Sequence, residues 1–199
     1  METLEMLPIK GQFTNELCEF YLRIEDYNSA RQLAVQILKD DSVNATALLV
    51  MGFVNEIDGN LIMAISYYEK IIANNSKDTN ALKRKALVEM NLRMDKQAFV
   101  DINLAIELDR FDPETLVIRG MISIYSFHKK IDAIVDYNQA LLLNPLYALA
   151  LYHRGYAYLK YGNVEYARDD FVKADGLGNK EAGSMLKQYF PDSEFQPTN

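Results

Sequence analysis

Five alanines, Ala30, Ala64, Ala98, Ala133 and Ala167, follow one another at steps of 34, 34, 35 and 34 residues, so the chain is built from a repeated unit. A second series of small residues, Cys18, Gly52, Ala86, Gly120 and Gly155, keeps steps of 34, 34, 34 and 35. Two registers a fixed distance apart therefore recur together. Ala34, Tyr68, Ile102, Tyr137 and Phe171 stand four residues after the alanines, and Ile37, Ile71, Ala105, Ala140 and Ala174 three further on. Those offsets lay one apolar stripe along a helix. Thr14, Leu48, Leu82, Leu116 and Leu151 stand four residues before the small series and give the preceding helix its own stripe. That stripe leads to a residue small enough for another helix to come close. Each unit is thus expected to be a helical hairpin. The one extra residue shared by both series falls within 126–131, where a turn between the two helices of a unit belongs.

The registers divide the chain into an extension, 1–10, and five units, 11–44, 45–78, 79–112, 113–147 and 148–181. A capping helix over 182–190 and a disordered tail over 191–199 complete it. The last unit carries Leu151, Gly155, Tyr158, Gly162, Ala167, Phe171 and Ala174, and this pattern closely resembles the tetratricopeptide repeat. Leu48, Gly52, Gly59, Ala64 and Tyr68 match it well in the second unit, whereas the first unit is degenerate. The resemblance covers roughly residues 11–181 and implies an all-α, right-handed solenoid of about five helix-turn-helix repeats. Only one unit ends in the usual proline, Pro145; Ser42, Ser76 and Arg110 take its place elsewhere, so those junctions are expected to be looser. Gly59 and Gly162 suit left-handed turns, while Glu25 and Arg93 must make the same bend with a β-carbon.

A solenoid exposes the apolar face of its last unit, and Ala182, Met185, Leu186, Tyr189 and Phe190 stand at the spacing of a helix that would cover it. The single cysteine excludes an intrachain disulfide; Cys18 occupies a small-residue register and reads as packing. No secretory signal or membrane-length apolar run is present, so a cytoplasmic location without membrane insertion is expected. A net charge of −7 and a pI near 4.9 argue against nucleic-acid binding. The basic run Lys83-Arg84-Lys85 reads as a solvated helix face.

No catalytic or metal-binding pattern stands out. His128 lies in the elongated turn and His153 among tyrosines, outside any His-x-x-x-His or Cys-x-x-Cys spacing. Gly176-Leu177-Gly178 lacks the strand and third glycine of a dinucleotide turn. Asp169-Asp170 reads as the polar side of an amphipathic helix, flanked by Arg168 and Lys173. A non-enzymatic chain without cofactor or metal is the expectation.

In the family that the repeats resemble, the first helices line a concave surface. The positions facing it yield a groove of Leu49, Phe53, Leu87, Met121, Tyr125, Tyr152 and Tyr156, bordered by Glu19, Lys83 and Lys160. About half of the inward positions are expected to serve packing instead. Capture of an acidic chaperone tail fits poorly, because Leu87 stands where a second cation would be needed beside Lys83. The expected function is an adaptor or co-chaperone-like module that binds an apolar peptide segment of another protein. The alternative is a self-associating subunit of a homo-oligomer or larger assembly.

Overall fold

The computed structural model describes residues 11–191, so the extension 1–10 and the tail beyond Pro191 lie outside the described residues. These hold eleven α-helices and no strand, in two compact units that part between Met94 and Asp95. The first unit contains α1 (Gly11–Arg23), α2 (Tyr27–Asp40), α3 (Ala45–Ile57), α4 (Leu61–Asn74) and α5 (Thr79–Asn91). The second contains α6 (Asp95–Leu108), α7 (Pro113–Tyr125), α8 (Lys130–Leu143), α9 (Ala148–Tyr161), α10 (Val164–Gly176) and α11 (Lys180–Tyr189). Within each unit every helix packs on its successor, and α1 also meets α3 as α7 meets α9.

Several helix starts carry side-chain caps. Asp26, Asn44, Asp78 and Asn179 each accept a bond from the backbone N–H three residues on, satisfying a donor that the first turn leaves free. The turns between hairpins are closed by a second recurring device: Asp41, Asn75, Asp109 and Asn144 accept from the N–H of Val43, Lys77, Phe111 and Leu146, at 2.9–3.2 Å. Only the last of these turns contains proline, yet all four close alike. The Asx side chain thus supplies a closing bond at the turns where proline is missing.

Glu25, Arg93 and His128 take φ of 59°, 63° and 57°, the left-handed bend that Gly59 and Gly162 make at 78° and 93°. The longer turn of the fourth hairpin lies between Tyr125 and Lys130, where the extra residue in the spacing placed it.

Helix approach within the hairpins rests on a glycine facing a ring. A β-carbon on Gly120 would stand 2.5 Å from Tyr137 Cε1, and one on Gly155 would stand 2.9 Å from Phe171 Cε1. Gly52 faces Tyr68 in the same way. All three rings are fully buried, so none has room to retreat. Gly120→Ala is expected to lose about 1–3 kcal/mol in chemical denaturation, with much of it regained by shrinking the ring in Gly120→Ala/Tyr137→Leu.

The core is a ribbon of small clusters between helices. Leu48, Ala64, Tyr68, Ile71 and Val88 form one in the first unit, and Leu116, Val117, Tyr137, Ala150 and Ala157 form one in the second. α11 buries Ala182 and Leu186 and sets Met185 and Phe190 against Leu151 and Phe171, so it covers the apolar face of the last hairpin. Cys18 is fully buried, and desolvation pushes its thiol up to about 11, which suits packing and not nucleophilic chemistry.

Candidate interaction surface

In the first unit α3 supplies Leu49 and Phe53, and α5 supplies Lys83 and Leu87. Leu49, Phe53 and Leu87 are half-buried: one side of each packs inward and the other stays open. Phe53 is not a bare anchor, since its ring lies 6.2 Å from that of Tyr27 and the Arg84 guanidinium covers it at 4.8 Å. Arg84 also approaches Glu56 at 4.0 Å, so this cation belongs to a local cluster.

Lys83 departs from its expected place on a polar rim, being only 7% exposed. Its register explains this: Val117, one repeat on, is completely buried, and Leu49 and Tyr152 at the same position are half-buried. Lys85, which reads as part of the same solvated run, bridges Glu89 at 2.9 Å and Glu69 at 3.9 Å. The basic triplet is therefore structural for much of its length.

The second unit gathers the aromatic positions more tightly. α7 carries Met121 and Tyr125, and α9 carries Tyr152 and Tyr156, all half-buried. The Tyr125 and Tyr156 rings are 5.7 Å apart, Tyr152 packs edge-on to His153 at 4.9 Å, and the Lys160 ammonium sits 5.2 Å from the Tyr156 ring centre. Beneath them His153 is buried, with Nδ1 3.4 Å from the Tyr125 hydroxyl and its ring stacked on Tyr137. Desolvation lowers its pKa to about 4, and burial raises Tyr125 and Tyr152, so all three are uncharged at neutral pH. The result is an aromatic strip with the Lys160 cation at Tyr156 and the Glu181 carboxylate acting on Tyr152. Val117 and Ile124, also at inward-facing registers, are core residues.

A recurring polar clamp lies behind this strip, and the sequence reading missed it. Arg119 holds Asp136 with two parallel bonds of 3.0 and 2.5 Å and donates a third, of 3.2 Å, to Asn103 on α6. Arg154 repeats this with Asp170, at 2.8 and 2.7 Å, and with Asn138 on α8, at 2.7 Å. Each arginine thus ties the first helix of its hairpin to the second and to the hairpin before. Asp170 is buried inside the clamp and is not a solvated surface acid. The signal was present in the spacing: Arg119 to Arg154, Asp136 to Asp170 and Asn103 to Asn138 recur with the repeat.

The buried tyrosines differ in one respect. Tyr68 donates to Glu56, whereas the Tyr137 hydroxyl finds no hydrogen-bond partner among the described residues. Ile124 stands at the register of Glu56 and offers no acceptor. Tyr137→Phe should therefore raise stability by about 1 kcal/mol, and Tyr68→Phe should lower it by leaving the half-buried Glu56 carboxylate without its donor. Paired denaturation curves of the two variants check the opposite signs.

No helix of the described residues is long and apolar enough to cross a membrane. No family model matches the chain. It is 27% identical over 157 residues to human tetratricopeptide repeat protein 6, a match covering 77% of this chain and 30% of that one. The chain spans about a third of the length of the curated relatives it matches. Among solved structures, the APC/C hetero-tetramer Cut9–Hcn1 superposes with a TM-score of 0.80 at 18% identity, covering 88% of this chain and 35% of that one. YrrB, described as a tetratricopeptide-repeat protein with an unusual peptide-binding site, superposes with a TM-score of 0.61 at 20% identity, covering 88% and 90%. The helix-turn-helix fold is that of solved tetratricopeptide-repeat proteins, and the recurring small-residue and aromatic registers agree with the likeness to human tetratricopeptide repeat protein 6, so in fold and register the chain resembles the tetratricopeptide-repeat family.

Proposed function

We propose that the chain is a non-enzymatic protein-interaction module that holds an apolar peptide segment of a partner against the open sides of its first helices. The observation that carries this reading is the aromatic strip of Tyr125, Tyr152 and Tyr156 with Met121 beside it. Tyrosine offers a large apolar contact at low entropic cost and keeps a hydroxyl for a peptide carbonyl, while methionine adapts to the shape of its partner. Leu49, Phe53 and Leu87 are the corresponding contacts of the first unit. Lys83, because it is buried, is assigned to support instead of contact.

Proteins of like fold are consistent with this reading: YrrB is described with a peptide-binding site, and Cut9 is found in a hetero-tetramer with Hcn1. The test is affinity capture from a lysate of the source organism, comparing wild type with Met121→Glu/Tyr156→Glu after helical content and melting have been matched. A protein held by wild type and lost by the double variant supports the strip as the contact. Equal capture by both places the contact elsewhere.

A further inference from the structure

Leu149, Tyr152, Tyr156 and Lys160 stand at steps of three, four and four residues along α9, so they share one face of that helix. Leu149 is 36% exposed and extends the aromatic strip by one turn. The two ends of this face carry opposite charges. At the C-terminal end the Lys160 ammonium lies 5.2 Å from the centre of the Tyr156 ring, which is itself 5.7 Å from that of Tyr125. A second ammonium closes on the same place, because Lys130 Nζ donates to the Lys160 carbonyl at 2.8 Å. At the N-terminal end stands Glu181, in the first turn of α11. Its neighbour Ala182 is buried in the cluster on which Tyr152 packs, and burial first, then the Glu181 charge, raises the Tyr152 hydroxyl.

Lys160 and Glu181 are exposed, and neither forms an ion pair among the described residues. The guanidinium of α9, on Arg154, is taken up by Asp170 and Asn138. Tyr152 and Lys160 are eight residues apart, about 12 Å along the helix axis. That stretch exceeds the roughly 8 Å over which physiological salt screens exposed charges, so the acid at one end and the cations at the other do not neutralise each other. A segment lying along this face meets apolar rings between a cation and an anion. A purely acidic ligand would be repelled at Glu181 and a purely basic one at Lys160 and Lys130, whereas an uncharged one would leave both ends unpaired.

We infer that the strip selects a segment of mixed charge, with large apolar side chains over Tyr152 and Tyr156, an acidic group at the Lys160 end and a basic group at the Glu181 end. The inference rests on the reading of the strip as the contact and adds the charge order of the partner to it.

Selection of random twelve-residue peptides, displayed on phage, against the immobilised full chain tests it. Peptides retained by wild type and lost by Tyr156→Ala should carry apolar residues with an acid on one side and a base on the other. Lys160→Glu should exchange the acid for a base, and Glu181→Lys should exchange the base for an acid. Both of these side chains are exposed, so helical content and melting should match wild type. A synthetic peptide of the wild-type consensus should lose roughly tenfold or more in affinity for either charge variant and regain it when the opposing peptide charge is reversed. Peptides that depend on Tyr156 but show no charge preference, or a preference for one sign only, overturn the inference and leave the strip as the contact. Consensus charges that neither swap shifts do the same. If wild type retains no peptide that Tyr156→Ala loses, the reading of the strip fails and the inference fails with it.

Discussion

Asp136→Ala should cost about 3–5 kcal/mol of folding stability. The carboxylate side chain is 5% exposed and receives both forks of the Arg119 guanidinium, which is itself 26% exposed. Removing the acid leaves a half-buried cation that has lost its bidentate partner and keeps only the weaker pull of Asp132 and one acceptor on Asn103. The pair holds the arginine firmly protonated, chiefly through the hydrogen bonds it donates to Asp136, while burial of the carboxylate works against its ionisation. The net contribution of the intact pair is therefore much smaller than the cost of breaking it. A double variant, Arg119→Met/Asp136→Leu, removes both charges and should recover most of the loss. Denaturant titrations of wild type, single and double variants measure this directly; a single variant that unfolds with the wild type would show that the clamp is loose in solution.

The second large effect is a pH dependence. His153 is 7% exposed, and desolvation lowers its pKa to about 4, against an ordinary value of 6.5 in the unfolded chain. Its neutral form is the one that folds. The stability linked to it is complete above pH 6.5, falls as the unfolded chain takes up a proton below that, and is exhausted near pH 4, a change of about 3 kcal/mol. His153→Ile, which installs the residue that Ile118 supplies at the same register of the preceding hairpin, should remove this contribution. The difference between wild-type and variant stability should then shrink or reverse between pH 6.5 and 4. A constant difference across that range would mean that the imidazole is solvated. The Tyr125 hydroxyl lies within 3.4 Å of Nδ1 and the ring packs against Tyr137 and Tyr152, so protonation would also disturb the aromatic strip.

Much of the fold could be read from spacing alone. Small and apolar residues recurring every 34 or 35 positions in registers separated by helical offsets require a hairpin repeated along the chain, and each hairpin must bury its apolar stripe against a neighbour. The elongated turn before Lys130 and the bends at Glu25 and Arg93 followed from the same register. The polar interior was less legible. Arg119, Asp136 and Asn103 are unremarkable in sequence, and charged residues on amphipathic helices usually face water; only the packing of the two helices of one hairpin on each other and on the last helix of the hairpin before brings them together. Lys83 is the converse case, a charge that pattern places on a rim and packing places inside.

What the sequence determined by itself is the repeat, its helices and the small-residue contacts that let them approach, because periodicity and side-chain size are local properties of the chain. Tertiary structure decided which polar groups are buried, which hydroxyl lacks an acceptor and which apolar side chains remain in water. Those outcomes depend on distances between residues some twelve positions or more apart, and such distances exist only once the helices have packed.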